Sequence, residues 1–428
     1  MLKKLLLQSG RYLNPAGDII EGDIGIENCR ILFCGKSPND WHAEETIDCT
    51  HKLITPGLVN AHTHAAMTLF RSYADDMALM DWLQKKIWPA EANLTAEDVY
   101  WGTQLAIAEM LASGTTAFAD MYFFMDQVAR ACVETGMRAS LSRGLIAADE
   151  PEQDKRFAEN EQLFRDFHGA ENGRITVMLG PHAPYTCPPK CMEKVVALSR
   201  RIGAEIHVHL SETKYEVDKC QSIYGKSPVA LLDDLGVFDC GALAAHCVWV
   251  SEEDIKILAD KKVRVAHNPS SNLKLASGAA PVAAMLEAGV TVALGTDGAT
   301  SNNKLDMLEE IRMASFLQKL HRMDPTVLPS RQVLQVAHQG GAAAIGQGDS
   351  LGRIETGYKA DLTIYNMTAP HWCPQHDLVS ILTYAAASAD VSHTLVDGRV
   401  LYRNGEFTTL DIEKVKAEAG ARGLRLVK

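Results

Sequence analysis

Between Pro56 and about residue 350, short apolar runs alternate with longer amphipathic stretches, and this rhythm limits the fold more than any other feature. The runs are "GLVNAHTH", "TTAFADMY", "RASLSRGL", "ITVMLGPHAP", "AEIHVHLSET", "ALAAHCVWV", "VRVAHNPSS" and "VTVALGTDGA". Stretches such as "VYWGTQLAIAEMLASG", "CMEKVVALSRRIG", "EEDIKILADKK" and "LDMLEEIRMASFLQKLHR" fall between or after them, with apolar residues near i, i+3, i+4 and i+7. A period of two that keeps switching to 3.6 marks parallel βα units, and eight such units predict a closed (β/α)8 TIM-type barrel of the α/β class.

The flanks read differently. Up to about Thr55 the chain is strand-like, with "NPAGD" and "CGKSPND" as turns. After "VLQVAHQGGAAAIG", strand patterns return in "GYKADLTIYNM" and "VSHTLVDGRVLYRNGEF", where Asp397-Gly398 reads as a hairpin turn. The tail can therefore complete the small β unit begun at the start.

In such barrels, strand C-termini and the loops after them form the active-site face. His62 and His64 end the first run, His209 and Glu212 the fifth, and Asp297 the eighth, while His246 lies in the sixth. Residues i and i+2 on a strand point the same way with Cα atoms roughly 6 to 7 Å apart. His62 and His64 can therefore close on one ion at Zn–N distances of about 2.0 to 2.1 Å, with His209 and Asp297 as third and fourth ligands. That N3O set suits zinc and tolerates iron, nickel or manganese. His207 shares a strand face with His209 one step deeper and reads as core; His267 reads as structural or as support for the ligands.

A formal net charge of -12 offers no broad attraction for nucleic acid or anionic lipid. Ten cysteines with no CxxC pair read as reduced thiols in a cytoplasmic protein. The apolar part of "MLKKLLLQSG" is too short for a signal-peptide core and suits a first strand, and no later run is long enough to span a membrane.

The segments "PGLVNAHTH", "WPAEANLT", "GPHAPY", "HLSET", "AAHC", "HNPSSNLKLASG" and "LGTDGATSNN" carry a resemblance over nearly the whole chain. The sequence is similar to the amidohydrolase superfamily and, within it, to the 5-methylthioadenosine/S-adenosylhomocysteine deaminases. The resemblance implies a metal-dependent catalytic barrel over 57–349 beside a composite β-sandwich built from 1–56 and 350–428. It implies His62, His64, His209 and Asp297 as ligands of one divalent metal, most simply zinc. Glu91 would accept hydrogen bonds from ribose hydroxyls, His182 would touch substrate, and Arg143, with Arg156 as a second arginine, would meet the amino-acid tail of homocysteine. The fourth run has no lysine to bridge two metals, so a single-metal site is expected. The family habit implies a homo-oligomer, a dimer or tetramer.

The expected chemistry is hydrolytic deamination at adenine C6. Glu212 would protonate the ring nitrogen beside C6, Asp297 would take a proton from the attacking water, and His246 would stabilise the tetrahedral centre. Glu212 and Asp297 thus also count as substrate contacts. Rival readings are a guanine or pterin deaminase, a triazine chlorohydrolase, and a non-catalytic barrel scaffold; a ribose-binding acid at Glu91 separates the first three from a nucleoside enzyme.

Overall fold

The computed structural model describes residues 4–147 and 149–428. Five strands come first: β1 (Leu5–Leu13), β2 (Ile19–Glu27), β3 (Arg30–Gly35), β4 (Glu45–Asp48) and β5 (Lys52–Pro56). The next eight are β6 (Leu58–Thr63), β7 (Thr115–Tyr122), β8 (Arg138–Leu145), β9 (Ile175–Pro181), β10 (Ile206–Leu210), β11 (Ala242–His246), β12 (Arg264–His267) and β13 (Thr291–Leu294). Each lies within one of the eight apolar runs, and they pair in sequence order as one parallel sheet. Residues of β7 are buried on both faces, as a strand between a filled barrel interior and an outer helix layer must be.

The seam between β13 and β6 is held by polar groups. Thr296 N–H donates to Asn60 Oδ1 at 2.9 Å, Asn60 Nδ2 donates to Thr296 Oγ1 at 2.7 Å, and Asp297 N–H donates to His62 O at 2.9 Å. The approach is so close that a Cβ on Gly295 would sit 2.8 Å from both N and O of His62. Only glycine fits there, so closure of the barrel sets where His62 stands.

The outer helices start where their capping chemistry dictates. The helix Ala96–Ala112 opens on a capping box in which Thr95 Oγ1 accepts Asp98 N–H at 3.3 Å and Asp98 Oδ2 accepts Thr95 N–H at 2.8 Å. Asp98 also receives Arg422 at 3.1 Å and Arg425 at 2.5 Å, which pins the C-terminal helix Ile412–Leu426 across it. Among the described residues no helix is long and apolar enough to cross a membrane.

The last strands are β14 (Leu362–Asn366), β15 (Val391–Val396), β16 (Arg399–Arg403) and β17 (Glu406–Phe407). They join the first five in one ladder, β17-β16-β15-β14-β5-β1-β2-β3, with β4 beside β1. The sheet folds back on itself. Ile31 N–H donates to Tyr358 O at 2.8 Å, Ala360 N–H donates to Cys29 O at 2.9 Å, and a Cβ on Gly398 would meet Ile26 Cγ2 at 2.8 Å. Leu7, Ile24, Ile26, Ile54, Ile364 and Leu395 fill the space between the layers. The hairpin turn is as expected: Asp397 and Gly398 have φ of 48° and 72°, the positive pair that a two-residue type I′ turn needs.

Arg138, the first residue of β8, ties the two parts together. It is fully buried, with Nε 2.7 Å from Asp361 Oδ2 and Nη2 2.6 Å from Asp397 Oδ1. Removing one member of a buried ion network leaves the others uncompensated, which costs about 3–5 kcal/mol. The Arg138→Ala protein should lose stability on that scale in denaturant unfolding, and a loss below about 1 kcal/mol would show that the junction does not depend on this charge.

Candidate metal centre and active site

β6 carries His62 inwards and ends one residue before His64; β10 carries His207 and His209; Asp297 follows β13. Backbone carbonyls set two of the rings. His64 Nδ1 donates to Met121 O at 2.6 Å and His209 Nδ1 donates to His182 O at 2.7 Å, because a carbonyl can only accept. In the neutral rings both Nε2 atoms keep their lone pairs, and they face each other at 3.3 Å. Asp297 Oδ1 lies 3.2 Å from His64 Nε2 and 3.5 Å from His62 Nε2. His62 Nε2 is buried without a hydrogen-bond partner.

Lone pairs aimed at one another repel unless a cation lies between them. A tetrahedral ion with bonds of about 2.0–2.1 Å holds its ligand atoms about 3.3–3.4 Å apart, which is the spacing found here. The donor set thus fits one divalent cation held by His62, His64, His209 and Asp297, as expected from the strand ends. The cluster of His62, His64 and His209 and that of His62, His246 and Asp297 each bring their ligand atoms within 4.8 Å.

Asp297 is held hard in place. Its φ is 60°, a left-handed value that few non-glycine residues adopt, and its Oδ2 accepts from Ser271 Oγ at 2.7 Å and Ser301 Oγ at 2.9 Å. Oδ1 is left facing the histidines. The two serines were not singled out in the sequence, although "HNPSSNLKLASG" and "LGTDGATSNN" contain them.

Glu212 follows β10, and its carboxylate lies 4.0 Å from His246 Nε2. Burial raises its pKa above the ordinary carboxyl range, against the opposing pull of His246. Its backbone is gripped by a residue the sequence reading missed: Glu216 accepts Ser211 N–H at 2.9 Å and Glu212 N–H at 3.0 Å, one on each oxygen. Burial pushes Glu216 up to about 8. His246 has a φ of 77°, and its Nδ1 lies 2.9 Å from Asn272 Oδ1, so Nε2 turns towards Glu212.

His64, His209, Glu212, His246 and Asp297 line a cavity that encloses about 740 Å³ when its open mouth is counted. Its far wall is apolar: Leu79, Trp82, Leu83, Ile87 and Trp88 come from a helical segment over 79–91 that the sequence reading had not identified as a wall. Glu91 ends that segment, inside the cavity, where Tyr122 OH donates to its Oε1 at 2.7 Å. Burial pushes Glu91 up to about 7 despite that bond. His182 also lines the cavity, with Nδ1 2.9 Å from Thr186 Oγ1, and burial among other imidazoles holds it down to about 3.

The two arginines stand elsewhere. Arg143 lines an adjoining trough that shares Phe123 with the main cavity, and its Nη2 lies 2.7 Å from Glu159 Oε2 while Nη1 donates to Gly144 O. Arg156 Nε lies 3.1 Å from Glu152 Oε1, and its Nη1 donates to Ile146 O at 2.7 Å. Each is thus occupied by a glutamate of the helix Glu150–Phe167. His207 is more than core filling, since its Nε2 lies 2.9 Å from His62 Nδ1. His267 is buried with both ring nitrogens unpartnered within the protein, and burial holds it down to about 3.

The amidohydrolase family model matches residues 53–401. A 5-methylthioadenosine/S-adenosylhomocysteine deaminase from Desulforudis audaxviator is 51% identical over 428 residues, covering 99% of each chain. A 5'-deoxyadenosine deaminase from Methanosarcina mazei is 50% identical over 413 residues, covering 96% of this chain and 95% of its own. The crystal structure of an adenosine deaminase from Xanthomonas campestris with bound zinc superposes with a TM-score of 0.95 at 36% identity, covering 99% of this chain and 98% of that one. The atrazine chlorohydrolase of Arthrobacter aurescens shares the fold at a TM-score of 0.90 and 24% identity, covering 98% of this chain and 100% of its own. The match spans every barrel strand together with strands from both ends of the chain, so this protein belongs to the amidohydrolase family.

Proposed function

We propose that the protein is a zinc-dependent aminohydrolase that converts adenosine-type nucleosides, 5-methylthioadenosine and S-adenosylhomocysteine among them, to their inosine counterparts and ammonia. The observation that carries this reading is the placement of Glu212: a buried carboxyl with a raised pKa beside a three-imidazole, one-carboxylate cluster, in the same cavity as a second buried acid, Glu91. The names of the relatives agree with it, and the bound zinc of the Xanthomonas protein supports that metal.

When bound, the ion acts as a Lewis acid, lowering the pKa of a water from 15.7 towards about 7. The chain's own residues do the rest. Glu212, whose proton burial holds more tightly than that of an ordinary carboxyl group, gives it to the ring nitrogen beside C6 and makes that carbon more electrophilic. Asp297 Oδ1, the oxygen not taken by serines, receives a proton from the attacking water and passes it to the leaving amino group. His246 donates its Nδ1–H to Asn272 Oδ1, which leaves the lone pair of Nε2 to accept the O–H of the tetrahedral carbon. The C6–N bond then breaks, ammonia leaves, and the proton of the C6 hydroxyl passes to Glu212 as the carbonyl forms, which restores the acid.

Glu91 takes the ribose hydroxyls, His182 contacts substrate beside the metal centre, and Arg143 with Arg156 takes a substrate carboxylate by releasing Glu159 and Glu152. A cytoplasmic homo-oligomer, dimer or tetramer, fits the reduced cysteines and the exposed Phe316, Leu320 and Met323, which recur at i, i+4 and i+7.

The test is to incubate the zinc-loaded protein with adenosine derivatives, guanine, a pterin and triazines, following ammonia and the ultraviolet change from adenine to hypoxanthine. Turnover of bases or triazines alone would overturn the reading. Glu212→Gln should lower kcat by about 10²-fold or more with zinc content unchanged, since positioned proton transfer contributes about 10²–10⁴ in rate. Arg143→Met should cut kcat/KM for S-adenosylhomocysteine about tenfold or more and spare 5-methylthioadenosine, which has no carboxylate to lose as partner. Because ionised Glu91 is the better acceptor for ribose hydroxyls, kcat/KM should climb as pH rises through about 7, and Glu91→Gln should flatten that climb.

A further inference from the structure

Among the three histidines of the centre, His62 differs in what receives its Nδ1 proton. His64 and His209 each face a backbone carbonyl, which can only accept. His62 Nδ1 faces another imidazole, His207 Nε2, at 2.9 Å. An imidazole nitrogen can give or take a proton, so this contact alone leaves open which nitrogen of His62 keeps its lone pair. The question decides the site. If His207 Nε2 held a proton, His62 Nδ1 would have to accept it, and the proton of His62 would sit on Nε2, in the space between the donors.

The next residue along permits the tautomer that a metal ion needs, because a hydroxyl can accept as well as donate. His207 Nδ1 lies 3.3 Å from Ser142 Oγ, and all three side chains are buried. Ser142 comes from β8, two strands away from β10 in the barrel order, so the chain Ser142–His207–His62 crosses the barrel interior below the metal donors. A hydroxyl accepting from His207 Nδ1–H leaves the lone pair of His207 on Nε2, where it can accept from His62 Nδ1–H. The lone pair of His62 then points from Nε2, the atom that has no hydrogen-bond partner in the protein.

We infer that His207, itself oriented by Ser142, is a positioning residue that holds His62 in the Nδ1–H tautomer and so prepares its Nε2 to bind the metal ion. The inference rests on the zinc-centre reading above and adds to it a residue on which zinc affinity depends. Partners of metal-bound histidines that set their tautomer commonly change metal affinity 10–100-fold when replaced.

The experiment measures zinc affinity of the full-length protein by competition with a chromophoric chelator, together with thermal unfolding of the zinc-free form. His207→Leu keeps the bulk and removes the acceptor; His207→Gln restores an acceptor oxygen for His62 Nδ1–H. Zinc dissociation constants about 10–100-fold weaker for the leucine variant and near wild type for the glutamine variant are expected. Ser142→Ala should fall between them. Equal zinc affinity in wild type and the leucine variant would overturn the inference, as would equal weakening in both His207 variants, which would point to packing. Failure of the wild-type protein to bind zinc would instead overturn the zinc-centre reading, and leave the two failures distinguishable.

Discussion

Two imidazole nitrogens facing each other at 3.3 Å, with a carboxylate oxygen 3.2 Å from one of them, form an arrangement that a bound divalent cation makes favourable. Much of the barrel's mouth is explained by the need to hold it. His64 and His209 are locked by carbonyls of β7 and of the loop after β9, Asp297 by two hydroxyls and a left-handed backbone, and His62 by the seam at Gly295. These constraints come from different strands, so the donors keep their spacing only while the barrel is closed. Pre-organisation of this kind moves the cost of gathering like charges into folding, where the large hydrophobic core offsets it.

The same logic extends outwards from the ion. Buried glutamates brace the loops that carry chemistry: Glu216 holds the backbone at Ser211 and Glu212, and Glu310 accepts Ser270 N–H at 3.1 Å and Asn302 Nδ2 at 2.7 Å beside the serines that hold Asp297. Loops after β10, β12 and β13 thus behave as extensions of the scaffold. The segment over 79–91, with its apolar face on the cavity, is joined to the site by packing and by the hydrogen bond from Tyr122 to Glu91.

The eight apolar runs and the histidines at their ends were legible in the sequence because a strand's period of two and a barrel's polarity leave direct marks on residue type. The hairpin at Asp397-Gly398 was legible for the same reason. What was hidden is mediated by atoms every residue shares. No pattern of side chains announces that Met121 O or His182 O will receive an imidazole proton, or that Glu216 will reach back to two peptide N–H groups. His207 reads as core from its depth in the strand, and only the geometry reveals that it touches His62. The resemblance implies a substrate contact for Arg143, yet sequence spacing could not foretell that Glu159, sixteen residues on, already holds it.

One consequence of the shared terminal ladder concerns synthesis. β5 leads into the barrel, but its partner β14 lies some three hundred residues later in the chain, and Arg138 is 223 residues from Asp361 and 259 from Asp397. A growing polypeptide would carry β1, β2 and β5 with one edge open, and Arg138 without Asp361, until the last sixth of the chain emerges. Contacts so distant in sequence are slow to form and leave aggregation-prone edges in the interim. Until then the free edge of β5 is a strand-pairing surface that the finished sheet covers with β14.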